Sequence, residues 1–256
     1  MIVLFLCILI TSVLLMELGR WCRIWWRTRT GETSLRGSGT VEAAVFGLMG
    51  LLIAFTFYGA DTRFESRRDL LVEEVNAIDT AYLRLDLLPA STQPKLKEDF
   101  RRYVSSRLAI YQKIPDWEAV EALKGELQQS KALQREIWTE AVGASKQADS
   151  PAVQMLVIPA IDHMIAIGTA QIVALQRHPA VVVWVMLALT LLGSCVLAGF
   201  SMSGSRVRDW IHIGVFSLLF SAIIFVDIDF EYPRMRGFIH IHEMDQMLLQ
   251  TLHDMK

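Results

Sequence analysis

The sequence predicts an all-α integral membrane protein in which four transmembrane helices flank a helical insert placed between spans two and three. Its 256 residues are 53% hydrophobic, with a mean hydropathy of +0.36. Four apolar stretches reach or approach the roughly 20 residues that a membrane span needs. These are Ile2–Met16 (extendable to Trp21), Ala43–Ala60, Pro179–Ser205 and Trp210–Val226.

Charged residues concentrate between the second and third spans. We therefore predict spans one and two in residues 1–60, an extramembrane insert in 61–178, spans three and four in 179–228, and a tail in 229–256. A formal net charge of -2 argues against a nucleic-acid partner, which would favour a basic patch. The sequence predicts no cofactor or metal, and no enzyme, because it contains no nucleophile–base or zinc-protease motif.

The first span is predicted to be uncleaved. It lacks the basic start and small-residue cleavage site of a signal peptide, and tryptophans and arginines follow it as in an interfacial belt. All three cysteines lie in or beside spans, which favours apolar packing over disulfides or zinc.

The second span is predicted to continue as one helix from Val41 to Pro89. It would measure roughly 70 Å if unbroken, and Pro89 would stop it because proline lacks an N–H. Its second half carries a seam of apolar residues at spacings of 4, 3, 4 and 3, typical of a helix that pairs with a partner protomer. The seam residues are Leu71, Val75, Ile78, Tyr82 and Leu85.

The segment Ala152–Leu175 is apolar enough to resemble a span. It contains Asp162 and His163, which would be costly at mid-bilayer, so we predict a buried helix of the insert. A satisfied buried pair accounts for Asp162 and His163 better than a hydrolase site does.

Two charged segments beside the spans have two interpretations each. Arg63, Glu65 and Arg67 either form weak ion pairs on a solvated face or pair between protomers around a central axis. Asp227, Asp229 and Glu231 either end the last span or form an ion-binding or pore-mouth ring.

The side of the membrane on which the insert lies is open. The arginine-rich loop between spans one and two would be cytoplasmic by the positive-inside rule, which places both termini and the insert outside. Arginines beside the insert oppose this assignment, so the bias is modest.

Several motifs resemble the bestrophin family. Span two and its extension, LLIAFTFYGADTRFESRRDLLVEEVNAI, match a family pattern in which a Phe is followed eight residues later by a basic, aromatic and acidic group. The segment VDIDFEYPRMRGF resembles the family's acidic-I-acidic-x-P segment, and EEVNAIDTAYLRLDLLP resembles an uncharacterised bacterial bestrophin-like branch. The resemblance implies a homopentameric ion channel with a cytoplasmic insert. It places an apolar pore neck at Gly47, Leu51 and Phe55, although Gly47 would shorten the constriction.

We therefore predict a homo-oligomer, expected to be a pentamer, in the bacterial inner membrane. It would conduct inorganic ions through an axial pore lined by the second span, with Leu48 and Ile53 facing protein or lipid instead. The alternative is a non-conducting membrane scaffold or sensor whose insert binds a partner protein. A continuous axial cavity in a ring would favour the channel.

Overall fold

A computed structural model describes residues 2–31, 38–113, 120–202, 210–232 and 242–255. In these ranges the secondary structure is helical, without strands, which confirms the predicted fold class. Its helices are α1 (Ile2–Thr30), α2 (Ser38–Arg84), a 3-10 turn (Leu85–Leu87), α3 (Gln93–Lys113), α4 (Val120–Ser145), α5 (Pro151–Gln176), α6 (Val181–Met202), α7 (Trp210–Glu231) and α8 (His242–Asp254).

Four stretches of helix in the described ranges are long and apolar enough to cross a membrane. They are Ile2–Thr30, Gly39–Leu87, Pro151–Met202 and Trp210–Glu231. The chain divides near Thr62 and His178 into two compact units. The membrane unit contains α1, the first part of α2, α6 and α7; the insert unit contains the rest of α2, α3, α4, α5 and α8.

The directions of the helices in the membrane unit follow from their side-chain contacts. Phe5 meets Phe225 edge to face, while the Ser217 hydroxyl contacts the Met16 sulfur, so α1 and α7 are antiparallel. Phe46 and Phe57 contact Phe216 and Phe230 in the same order, so α2 and α7 are parallel. The α1–α6 crossing lies where Gly19 meets Val196 and Gly199 meets Met16. The residues before it on both helices, from Leu4 and from Trp184 onward, line one cleft, so α1 and α6 are parallel. One end of this unit therefore holds the starts of α1 and α6, the end of α7 and the α2 residues near Ala60.

Two glycines allow α1 and α6 to approach closely. A Cβ at Gly199 would overlap the Met16 carbonyl, and one at Gly19 would overlap the Val196 carbonyl. Small residues at such crossings let backbones pack directly, which is a main source of helix association in lipid. This pair was not among the sequence-based predictions.

Gly199→Ala is expected to destabilise the membrane unit by about 1–3 kcal/mol, because the methyl group must push two backbones apart. Gly193→Ala is the matched control on the same helix, since a Cβ there meets nothing within 4 Å. Thermal survival in detergent, followed by size-exclusion chromatography, measures the difference. Equal survival of the two variants would contradict this crossing.

The core of the insert unit is built from α2, α3, α4 and α5. Its largest fully buried apolar side chains include Ile78, Phe100, Tyr103, Ile137 and Ile161. The predicted buried helix at Ala152–Leu175 corresponds to α5, whose Ser150 side chain caps its start by accepting from the Ala152 amide.

The apolar seam of α2 packs within the chain and not against a partner protomer as predicted. Leu71, Val75, Ile78 and Leu85 lie in the core of the insert unit, with Tyr82 against it. The seam pairs α2 with helices of its own chain, so the interpretation of it as an oligomer contact is wrong. A core-facing helix and an oligomer seam share the same periodicity, which is why the pattern alone did not separate them.

The C-terminal helix α8 packs on the insert unit through Leu248, which is fully buried. Tyr82 and Arg101 donate hydrogen bonds to the Met255 carbonyl, at 3.0 and 2.8 Å. Asp79 on α2 accepts a hydrogen bond from Thr251 of α8. Burial raises the pKa of Asp79, and the negative charge of Asp254 raises it further. The hydrogen bond from Thr251 lowers this pKa but does not cancel the rise.

Asp79→Asn is expected to tighten the docking of α8 at neutral pH. A raised pKa means that the folded state prefers the protonated acid, so stability falls as pH rises from the unfolded to the folded pKa and stays lower above it. Asparagine removes that charge and keeps an acceptor for Thr251. The gain should stay below about 1 kcal/mol because Asp79 is half-exposed.

Hydrogen exchange of the α8 peptide at pH 7 and pH 4 measures this effect. Protection should rise in Asp79→Asn at pH 7, and the difference from the wild type should shrink at pH 4. Asp69→Asn, an exposed position on the same helix, is the control. A loss of protection at pH 7 would show that the carboxylate stabilises α8.

Candidate functional site

One face of the membrane half of α2 is exposed in the described part of the chain. Leu51 and Phe55 are 53% and 65% exposed, and Gly47 one turn earlier is exposed too, with nothing within 4 Å of a Cβ built there. Residues at i and i+4 share a helix face, so the three predicted neck positions form one apolar stripe. Tyr58, 69% exposed, extends it towards the end of the span.

The opposite face of α2 packs against the membrane core. Phe46, Met49, Leu52 and Ile53 all contact the cluster formed by α1, α6 and α7. Ile53 therefore faces protein, as the sequence predicted. Leu48 is 60% exposed and stands two helical turns before Phe55. Its position facing protein or lipid stays a prediction, because an exposed side chain on this helix is compatible with contact to lipid.

The basic and acidic residues after span two differ in their surroundings. Arg67 is buried, and its guanidinium donates to the Ala174 and Arg177 carbonyls at 3.2 and 2.7 Å. Its side chain thus joins α2 to the end of α5. Glu65 is exposed and lies 3.8 Å from Arg68 on the same helix, while Arg63 is half-buried. Pairing between protomers stays a prediction for Arg63 and Glu65. The Arg67 guanidinium binds carbonyl groups of its own chain.

The acidic residues at the end of α7 are buried rather than exposed. Asp227, Asp229 and Glu231 all belong to α7, which continues past the apolar segment to Glu231. A helix turns about 100° per residue, so Asp227 and Glu231 share one face and Asp229 points elsewhere. Glu231 lies 2.9 Å from His178 Nδ1, and the His178 ring stacks on Tyr232. Such burial is unusual for simple boundary charges.

The insert unit contains a buried charge pair that was not among the sequence-based predictions. Arg107 on α3 binds both carboxylate oxygens of Glu74 on α2, and both side chains are fully buried. Tyr111 donates to the same carboxylate at 2.7 Å. A two-pronged guanidinium–carboxylate contact of this kind is the strong form of charged hydrogen bond.

Burial and charge act in opposite directions within this cluster. Burial lowers the pKa of Arg107, and the Glu74 carboxylate more than reverses this, so the pKa rises and the guanidinium stays charged. Burial, reinforced by the Glu74 charge, raises the pKa of Tyr111 well above 10. Burial raises the pKa of Tyr103 to about 12. Both phenols therefore remain neutral hydrogen-bonding groups at physiological pH.

Asp162 and His163 are exposed on α5, which corrects their prediction as a buried pair. His163 lies 3.7 Å from the half-exposed Glu73. Asp162 borders a groove of about 520 Å³ between α4 and α5, along with Lys131, Arg135 and Trp138. The segment forms α5 of the insert unit, and Asp162 and His163 lie on the outer face of this helix.

The described fold is thus that of a four-span, all-α integral membrane protein with a helical insert between spans two and three. A model of the bestrophin-like domain matches residues 5–241. The chain therefore belongs to the bestrophin-like family, as its motifs predicted. No curated protein matches the chain.

Solved structures of a bacterial bestrophin homolog from Klebsiella pneumoniae share this fold. One, phased with zinc, gives a TM-score of 0.69 at 16% identity and covers 98% of this chain and 97% of that chain. Two point variants of that homolog give TM-scores of 0.71 and 0.70 at 16% and 17% identity, with 98% of both chains covered. At such identities the likeness defines the fold.

Proposed function

We propose that the chain is the subunit of a homo-oligomeric ion channel, a pentamer in the bacterial inner membrane, whose axial pore is lined by α2. The supporting observation is the stripe Gly47, Leu51 and Phe55, which its own chain leaves exposed while the opposite face of α2 is packed. Bestrophins are ion channels whose neck is lined by this helix, so family membership favours an axial position over lipid contact.

The stripe also suits the physics of a hydrophobic constriction. Leu51 and Phe55 offer no hydrogen bonds, so a ring of them would exclude hydrated ions by dewetting. Gly47 adds no side chain, so the narrow section would be short. Passive permeation of inorganic ions through such a neck requires no cofactor.

Reconstitution tests this function directly. Protein purified in detergent is first examined by native mass spectrometry for its subunit number, and then placed in liposomes for flux measurements with potassium, sodium and chloride gradients. We expect a ring and a saturating, protein-dependent flux. A monomer or dimer without flux would favour the scaffold whose insert binds a partner protein.

We further propose that the acidic end of α7 influences ion passage or cation binding. Replacing Asp227 and Asp229 by Asn and Glu231 by Gln removes three negative charges at the end of the membrane unit where α6 begins. Permeation or cation affinity should change in the intact oligomer, because fixed carboxylates attract cations. Relative permeability for potassium and chloride, read from reversal potentials, measures the effect.

If the triple variant forms an intact oligomer and its permeability and cation binding are unchanged, the three acidic residues have a purely structural role. His178→Gln is the matched control. It removes the imidazole that contacts Glu231 and keeps all three carboxylates.

A further inference from the structure

A cleft of about 290 Å³ lies within the membrane unit, between α1, α6 and α7. At one end its walls come from Leu4, Trp184 and Ile228, and at the other from Leu15, Cys195 and Phe220. The cleft thus runs from the end where α6 begins to the middle of the span. None of the functions considered above uses it.

The lining of the cleft disfavours water. Among the described residues that line it, only Thr11 and Ser12 contribute hydroxyl groups, both from α1. The Ser12 hydroxyl already donates to the Leu9 carbonyl at 2.8 Å. An ordered water needs two to four polar partners, and apolar cavities without them stay dry. The natural occupant of a dry cleft in a membrane is hydrocarbon.

The mouth of the cleft continues into an exposed apolar surface. Ala188 and Leu192 line the cleft and are exposed, and Leu189 beside them is 60% exposed. The floor is formed by buried residues of the same helix, Leu187, Leu191 and Cys195. Surface and floor therefore form one apolar path from the outside of α6 into the protein.

We propose that this cleft holds one acyl chain of a phospholipid, from the leaflet at the end of the membrane unit where α6 begins. A water molecule occupies about 30 Å³ in the liquid and a methylene group is of similar size, so the cleft accommodates on the order of ten methylene groups. That is most of one chain. The Trp184 indole lies towards the headgroup end, where tryptophan is favoured in membranes.

Photolabelling tests this proposal. The full-length protein is placed in vesicles of phosphatidylethanolamine and phosphatidylglycerol that contain a phosphatidylcholine with a diazirine in the middle of one acyl chain. After illumination, labelled residues are mapped by mass spectrometry. We expect labels on the buried floor residues Leu191 and Cys195 as well as on the exposed Leu189, since only an inserted chain reaches the floor.

Variants that fill the cleft sharpen the test. Ala188→Phe and Thr11→Phe add a ring at opposite walls from exposed positions, so neither overpacks the core. Each should reduce labelling of Leu191 and Cys195 at least severalfold and leave Leu189 labelled. Leu189→Phe, outside the cleft, is the matched control and should keep the floor labels.

Two results would overturn the proposal. Labels on Leu189 without labels on the floor of the wild-type protein would show that lipid stays outside the cleft. Protection of Leu189, Ala188 and Leu192 together would show that a second copy covers the mouth. The wild-type pattern decides in both cases, even if neither filled variant folds. The outcome does not depend on whether the protein conducts ions.

Discussion

Phe55→Ala is expected to raise ion flux severalfold in liposomes, or to leave the pore open under conditions in which the wild type is closed. Phe55 is the bulkiest of the three predicted neck residues on α2, and it is 65% exposed. If that stripe faces the axis, one ring from every protomer narrows the neck. Removing the rings widens the constriction and lowers the barrier to wetting. Leu51→Ala, one turn earlier on the same face, should act in the same direction.

The matched control is Phe57→Ala. Phe57 belongs to the same helix, but its ring contacts Phe230 of α7 within the chain. Its removal should weaken packing without opening a pore. Truncating Phe55 also costs a few kcal/mol if the ring packs between protomers, so the subunit number of each variant is measured before flux. Unchanged flux through intact oligomers of both stripe variants would contradict a neck at these positions.

Much of the membrane unit was predictable because its signals are local. A span needs a long uncharged apolar stretch, and the sequence contains four. The stretch at Pro151–Met202 was the difficult case, since by length and hydropathy it forms one candidate. Asp162 and His163 favour an insert helix for its first part, because their charge would be costly at mid-bilayer, and this part lies in the insert unit.

Contacts between distant segments were not predictable in the same way. The glycines that matter at the α1–α6 crossing are Gly19 and Gly199, whereas the sequence-based predictions named Gly47, at the pore neck. All three are small residues in apolar helices, and only the packing partner distinguishes them. The α2 seam was recognised as apolar but assigned to an oligomer contact for the same reason.

The buried Glu74–Arg107 pair can be detected in the sequence from the helical periodicity of apolar residues. Glu74 stands three residues after Leu71 and four before Ile78, both on the apolar face of α2. Arg107 stands between Val104 and Tyr111 on the apolar face of α3. Two opposite charges at core positions of neighbouring helices favour a buried pair, because a buried charge needs a partner. The charges around Glu74 in the sequence masked this pattern.

Breaking that pair is expected to have the largest effect on stability in the chain. Arg107→Met should destabilise the insert unit by about 3–5 kcal/mol, because it leaves the Glu74 carboxylate buried and uncompensated. Methionine keeps much of the volume, so the loss reports charge rather than a cavity. Hydrogen exchange of the α3 and α5 peptides measures local opening. The exchange rate should rise by about two to four orders of magnitude, because about 1.36 kcal/mol corresponds to a tenfold change.

Two further variants separate charge pairing from general damage. Arg68→Met makes the same change in a half-exposed pair with Glu65 and should cost no more than about 1 kcal/mol. In the double variant Glu74→Gln with Arg107→Met, no buried charge remains, so the double variant should be more stable than Arg107→Met alone. A double variant at least as unstable as the single one would show that the pair contributes chiefly through packing, since removing the stranded carboxylate would then have brought no relief.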